Sequence, residues 1–219
     1  MKNKKTLYHF VLDRSGSMSN CTETTISGFN AQVETIKKLQ EEFSEQEFEV
    51  SLTIFDDVID HVQSHVAISN FESLSRARYN PRGATALLDA IGMSINQIRM
   101  SNETKILNNE MSIVMVILTD GMENASREFT FHQIAKMIKE LEATDKWTFT
   151  FLGADIDAMH TSKMLNIRSE NVMSFNKGDM NQMMDEVSEG MRRYSYSKSN
   201  GVTKKDFLDF IQDKDRRKQ

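Results

Sequence analysis

One cysteine, one proline and one tryptophan in 219 residues exclude several protein classes at once. Cys21 is the single cysteine of the sequence, so a disulfide-stapled scaffold is ruled out. Nine glycines and a single proline rule out a collagen-like repeat, and 39% hydrophobic with 27% charged residues rules out a disordered chain. No segment approaches the ~18 consecutive apolar residues of a membrane-spanning helix. The basic start, Met-Lys-Asn-Lys-Lys, leads into an apolar run from Leu7 to Leu12 that is too short for a secretory signal and enters an acidic loop instead of a cleavage site, so a cytoplasmic location is expected. Acidic residues outnumber basic ones, 32 to 27, and the net charge of −5 argues against a nucleic-acid binder. Two chemical signatures are missing as well. There is no G-x-x-x-x-G-K-S/T loop to cradle phosphates and no G-x-S-x-G nucleophile elbow.

What is present is an alternation of β-rich apolar runs with helical patterns, which predicts an α/β sheet with helices on both faces. Thr6 to Leu12 reads as the first strand. Ile26, Phe29, Val33, Ile36, Leu39 and Phe43 recur every three or four residues and predict a helix over 27–43. Phe48, Val50, Leu52 and Ile54 alternate with polar residues, and Asp56-Asp57 leaves no room for a crossover before Val58 to Ile68. Those two strands should therefore form an antiparallel hairpin at one edge of the sheet. Leu87, Leu88, Ile91, Ile95 and Ile98 predict a helix over 85–100, after a loop containing Pro81 and Gly83.

Met111 to Thr119 is almost continuously apolar, as expected of a central parallel strand buried on both faces. Thr130 and Gln133 fit a capping box for a helix reaching Ala143. A strand at Trp147–Leu152, a short helix over 157–165, a strand over 171–175 and a helix over 179–194 complete the pattern. The length suits one domain, residues 1–195, followed by a linker from Ser195 to Gly201 within a charged tail, residues 196–219, that carries Phe207, Leu208, Phe210 and Ile211.

Chemistry concentrates at strand ends. The first strand ends in Asp13-Arg14-Ser15-Gly16-Ser17, which sets one carboxylate and two hydroxyls on alternate positions of a tight loop. The central strand ends in Thr119-Asp120-Gly121, placing a carboxylate at the carboxyl edge of the sheet, where α/β folds bind their ligands. Thr85 adds a third hydroxyl before the following helix. An all-oxygen set with few anionic members and no Cys or His suits a hard cation such as Mg2+ or Mn2+. Taken singly, Asp13 and Asp120 also read as helix-capping carboxylates, and Ser15 and Ser17 as turn hydroxyls.

In Asp13-x-Ser15-x-Ser17, Thr85 within Gly83-Ala84-Thr85-Ala86-Leu87, and Thr119-Asp120-Gly121, the chain resembles a von Willebrand factor type A domain bearing a metal-ion-dependent adhesion site. The likeness spans about residues 5 to 195. It implies a Rossmann-like, doubly wound, mostly parallel six-stranded sheet of order 3-2-1-4-5-6 with strand 3 antiparallel. It also implies a metal bound by both serines, by the aspartates directly or through water, and by the threonine in one state of the site. Function follows as an expectation: a non-enzymatic adaptor whose metal accepts an Asp or Glu from a partner protein. Within the family the chain looks most like small intracellular bacterial or phage-encoded members linked to tellurite and stress resistance, which act beside ATPase- or kinase-containing proteins. A metal-assisted hydrolase, a nucleotide-binding enzyme, and a scaffold with a vestigial metal site are the alternatives.

Other features carry less. Asn176-Lys177-Gly178-Asp179 copies a guanine-specificity tetrapeptide without a phosphate loop to accompany it. His61 and His65, four apart on a predicted strand, are expected on a solvated face. Met180, Met183, Met184 and Met191 are expected to fill core gaps. Asp155 and Asp157 are expected near the rim of the metal site.

Overall fold

The computed structural model describes residues 4–154, 157–202 and 206–209. Six strands form one sheet: β1 (Lys5–Asp13), β2 (Glu47–Phe55), β3 (Ile59–Ala67), β4 (Met111–Thr119), β5 (Trp147–Ala154) and β6 (Val172–Phe175). Their order is β3-β2-β1-β4-β5-β6, with β3 antiparallel to β2 and every other pair parallel. This is the topology expected from the sequence. The helices are α1 (Thr22–Glu42), α2 (Leu87–Leu107), α3 (Phe131–Glu142), α4 (Asp157–Met164) and α5 (Met180–Ser199). Among the described residues no helix is long and apolar enough to cross a membrane.

Alternation along β1 divides the core in two. Tyr8, Phe10 and Leu12 pack on one face with Phe29, Val33 and Ile36 of α1 and Met184, Val187 and Met191 of α5. Leu7 and Val11 pack on the other with Ile91, Ile95 and Ile98 of α2 and Ile134 and Ile138 of α3. All nine residues of β4 are buried, which accounts for its unbroken apolar run. The four methionines named above on α5 are all core residues. Thr130 and Gln133 form the capping box at the start of α3.

Several local expectations are corrected. Helix α1 starts at Thr22, five residues early, because the hydroxyls of Thr22 and Thr25 bond back to the carbonyls of Met18 and Cys21 at 3.3 and 2.9 Å. Helix α2 runs on to Leu107. The β2–β3 ladder slips in register near Leu52, and His65 takes a positive φ of 54°. Both histidine side chains are half-buried and within hydrogen-bond reach of neighbours, Thr53 and Asn102, rather than on a solvated face. The Thr53 hydroxyl lies 2.9 Å from His61 Nδ1, and the His65 N–H donates to Ser51 Oγ at 2.7 Å.

The expected linker at Ser195 is also corrected, since α5 continues to Ser199 with Ser195 and Lys198 buried. The Lys198 ammonium donates to the Lys5 carbonyl, Thr6 Oγ1 and Ser112 Oγ, each at 2.7 Å, which fastens the end of α5 to β1 and β4. Phe207 and Leu208 are buried too. The Phe207 N–H donates to Asn171 Oδ1 at 2.6 Å, and its ring lies 6.2 Å from that of Tyr194. Phe210 and Ile211 lie outside the described residues.

Candidate metal centre

Because β1 and β4 are parallel neighbours at the point where strand order reverses, their carboxyl ends bring Asp13 and Asp120 to the same edge of the sheet. Asp13 ends β1 and is fully buried. Ser15 precedes a 3-10 turn, Gly16–Cys21, which carries Ser17. Thr85, also buried, sits two residues ahead of α2.

Hydrogen bonds tie four of the five candidate residues into a chain. Asp13 Oδ1 accepts the Ser15 N–H at 2.6 Å, Ser15 Oγ lies 3.0 Å from Ser17 Oγ, and Ser17 Oγ donates to Asp120 Oδ1 at 2.6 Å. Thr85 joins through Gly121. A Cβ at that position would lie 2.9 Å from Thr85 Oγ1, 3.4 Å from Ser17 Oγ and 3.6 Å from Ser15 Oγ. Three hydroxyls thus face one small volume that only glycine leaves open. Gly121 is not at positive φ, so it is needed there for space and not for conformational freedom.

This donor set fits a hard divalent ion. The 3.0 Å between the two serine oxygens is the separation of adjacent ligands in an octahedron with bonds of ~2.1 Å. Among the described residues no group of three His, Cys, Asp or Glu could hold a metal, so a soft-ligand site has no support there. Exposure is graded across the cluster: Asp13, Ser15 and Thr85 are buried, Asp120 is half-buried and Ser17 is exposed. The cluster therefore opens to solvent on one side. Burial pushes the Asp13 carboxyl up to about 6, against the pull of its bonds to Thr119 and Ser15, and the nearby Asp120 adds to the rise. A cation beside it would relieve that penalty.

The frame around these residues was not anticipated. Thr119 Oγ1 donates to Asp13 Oδ2 at 2.6 Å, and the Tyr79 hydroxyl donates to the Asp13 carbonyl. Arg14 and Arg82 both reach the buried Asp56, with Nε–Oδ2 distances of 3.0 Å, while Asp56 Oδ1 accepts the Val58 N–H at 2.8 Å. Gly83 has φ of 64°, a left-handed conformation that favours glycine in this turn.

Glu123 and Asn124 tie the loop after β4 to the start of α2. The Thr85 N–H donates to Asn124 Oδ1 at 2.9 Å, and Glu123 Oε2 accepts the Leu88 N–H at 3.0 Å in the first turn of α2. Asp89 returns the contact by accepting the N–H groups of Arg127, Glu128 and Phe129 at 2.7, 3.0 and 2.9 Å. The sequence held a signal for part of this frame, since Asp56 also stands at the end of a predicted strand. Asp155 and the side chain of Asp157 lie outside the described residues, and Gly178 of the tetrapeptide faces open space.

Comparison with known proteins gives the same picture. Residues 9–189 match the family described as von Willebrand factor type A domain. No curated protein matches the chain in sequence. Among solved structures, the vWF domain of the type V pili tip protein Mfa5 from Porphyromonas gingivalis aligns with a TM-score of 0.63 at 9% identity, covering 88% of this chain and 96% of that one. Manganese-loaded Plasmodium vivax TRAP protein aligns at 0.55 and 12% identity, covering 84% and 73%. Proximal thread matrix protein 1 from the mussel byssus, with a zinc-occupied MIDAS motif, aligns at 0.54 and 15% identity, covering 86% of this chain and 46% of that one. At these identities the likeness is one of fold.

Proposed function

The chain belongs to the von Willebrand factor type A domain family, and from that premise we propose that it is a metal-dependent protein-binding module that takes an acidic side chain of a partner. Domains of this family are generally interaction modules. The observation that carries the reading is the convergence of the Ser15, Ser17 and Thr85 hydroxyls on the volume left by Gly121, with Asp13 and Asp120 hydrogen-bonded to the two serines. Mg2+ or Mn2+ held there would supply a Lewis-acidic centre able to accept a carboxylate oxygen.

The chain's residues divide the work. Asp13 and Asp120 supply the negative charge, and the three hydroxyls supply neutral oxygens that keep the total anionic charge low. Five protein oxygens would leave at least one of six positions to water or a partner, and the cluster is open to solvent on the Ser17 side. Thr119 and the Ser15 N–H hold the Asp13 carboxylate in place. The adaptor role beside an ATPase- or kinase-containing assembly is part of the same proposal.

Calorimetric titration of Mg2+ and Mn2+ into chelator-stripped protein, together with affinity capture from the native host in magnesium or in chelator, tests it. Wild type should bind the ions and release its captured partner on chelation, and Asp120→Ala should do neither. Capture that is the same in both buffers, or in both proteins, would overturn the reading.

A further inference from the structure

Beside the metal centre lies a cavity of about 810 Å3 that the proposed function leaves unused. Its wall is continuous with the site. Gly83 and Ala84 lead directly into Thr85, and Asn124, which also lines the cavity, accepts the Thr85 N–H at 2.9 Å. The remaining lining has two chemical characters. Val58, Ile59 and Met93 provide aliphatic surface, and Val58 is 53% exposed. Asp57 and Glu128 provide exposed carboxylates, neither of which has a side-chain hydrogen bond or ion pair among the described residues. Asp89 also lines the cavity, its carboxylate taken up by backbone N–H groups, and Arg127 brings the one guanidinium among the lining residues.

We propose that this cavity receives a lysine or arginine of the same partner segment that presents its acidic residue to the metal. The inference rests on the metal-binding reading above. Aliphatic surface and free carboxylates in one cavity match a long basic side chain, whose methylene stem covers apolar surface while its head stays charged. The cavity is roomy enough for that side chain and the backbone carrying it. An anionic occupant would meet the carboxylate excess and be repelled. The partner motif is therefore an acidic residue with a basic one close by along the chain. The metal sets affinity through the first, and the cavity sets specificity through the second.

Selection of a random heptapeptide phage library on the immobilised full chain tests this in magnesium, in chelator, and with the double variant Asp57→Asn/Glu128→Gln. Wild type in magnesium should enrich Asp or Glu at one position and Lys or Arg at a fixed offset from it, and chelator should erase both. The variant should keep the acidic preference, lose the basic one, and bind a selected synthetic peptide roughly 5- to 20-fold more weakly. An unchanged magnesium-dependent shift in the variant's melting temperature would show that its metal centre is intact. Acidic enrichment without a basic preference, or with one that survives in the variant, overturns the cavity proposal and leaves the metal reading standing. Absence of any magnesium-dependent acidic enrichment overturns both.

Discussion

Gly121→Ala is the sharpest probe of the metal centre, because it adds one methyl group and removes no oxygen. The new Cβ would stand 2.9 Å from Thr85 Oγ1, inside ordinary van der Waals contact, and 3.4 and 3.6 Å from the hydroxyls of Ser17 and Ser15. Gly121 is not at positive φ, so alanine brings no backbone strain. Overpacking of this kind costs about 1–3 kcal/mol. In a domain of this size that lowers the melting temperature by roughly 2–10 °C in chelator. The effect on metal should be larger, since the methyl fills the volume that the three hydroxyls face.

For wild type at a magnesium concentration near 100 times its Kd, a ligand bound only by the folded state adds about 2.7 kcal/mol, or roughly 5–10 °C. The variant should show almost none of that gain. Melts of both proteins in magnesium and in chelator, with circular dichroism to establish that the variant is folded, make the comparison. A variant that keeps the wild-type magnesium shift would refute the claim that the Gly121 volume is where the ion sits.

Further expectations follow from individual side chains. Asp13 has a raised carboxyl value of about 6, so the metal-free fold is favoured by its protonation below pH ~4 and loses about 3 kcal/mol of that benefit as pH rises through 6. Only the ionised form supports a cation, so the magnesium-induced shift should be full above pH 7 and fade toward pH 5 in a series of melts. Lys198→Met leaves the Lys5 carbonyl, Thr6 Oγ1 and Ser112 Oγ without their shared donor and should cost roughly 2–4 kcal/mol in denaturant titrations. Burial pushes the Lys198 ammonium down to about 7, so wild-type stability should rise with pH between 7 and 9 through this group, and a variant showing the same rise would exclude it as the source. Phe207→Ala should destabilise by about 3–5 kcal/mol, and Gly190→Ala, whose Cβ would meet the Phe207 ring and carbonyl at 2.9 Å, should do so by about 1–3 kcal/mol. Unfolding midpoints equal to wild type would mean that the segment around Phe207 adds nothing to the fold.

The sheet was legible because its strands differ in period. β4 is buried on both faces and reads as a solid apolar run, while β2 alternates and is joined to β3 by too few residues for anything but a hairpin. The candidate ligands were legible for a related reason. Asp13-x-Ser15-x-Ser17 and Thr119-Asp120-Gly121 sit at the ends of the two most strongly patterned strands, so their meeting follows from topology. Ladder slippage at His65 depends on pairing between strands, which periodicity along one strand cannot report. The frame of Asp56, Asp89, Glu123 and Tyr79 was hidden because each acts across 26 or more residues or through backbone N–H groups, and neither leaves a local pattern. The end of α5 was misread from composition. Ser195, Ser197 and Ser199 resemble a linker, yet Ser195 Oγ returns to the Met191 carbonyl at 2.9 Å within the helix, and Lys198 finds three oxygens beneath it.

The carboxylates around the site explain why it has a fixed shape before any ion arrives. Asp56 is held by two arginines and a backbone N–H, Asp89 by three N–H groups, and Glu123 by those of Leu88, Ala125 and Ser126. Each of these acids has its charge met by donors that fasten one loop to another. Asp120 differs in accepting from the hydroxyl of another candidate ligand, Ser17. A hydroxyl both donates and accepts, so Ser17 can give up its proton contact with Asp120 and turn lone pairs toward a cation without moving its backbone. Loops clamped by fully committed acids, and ligands held by reversible ones, let the site exchange hydrogen bonds for metal bonds at little cost in conformational order.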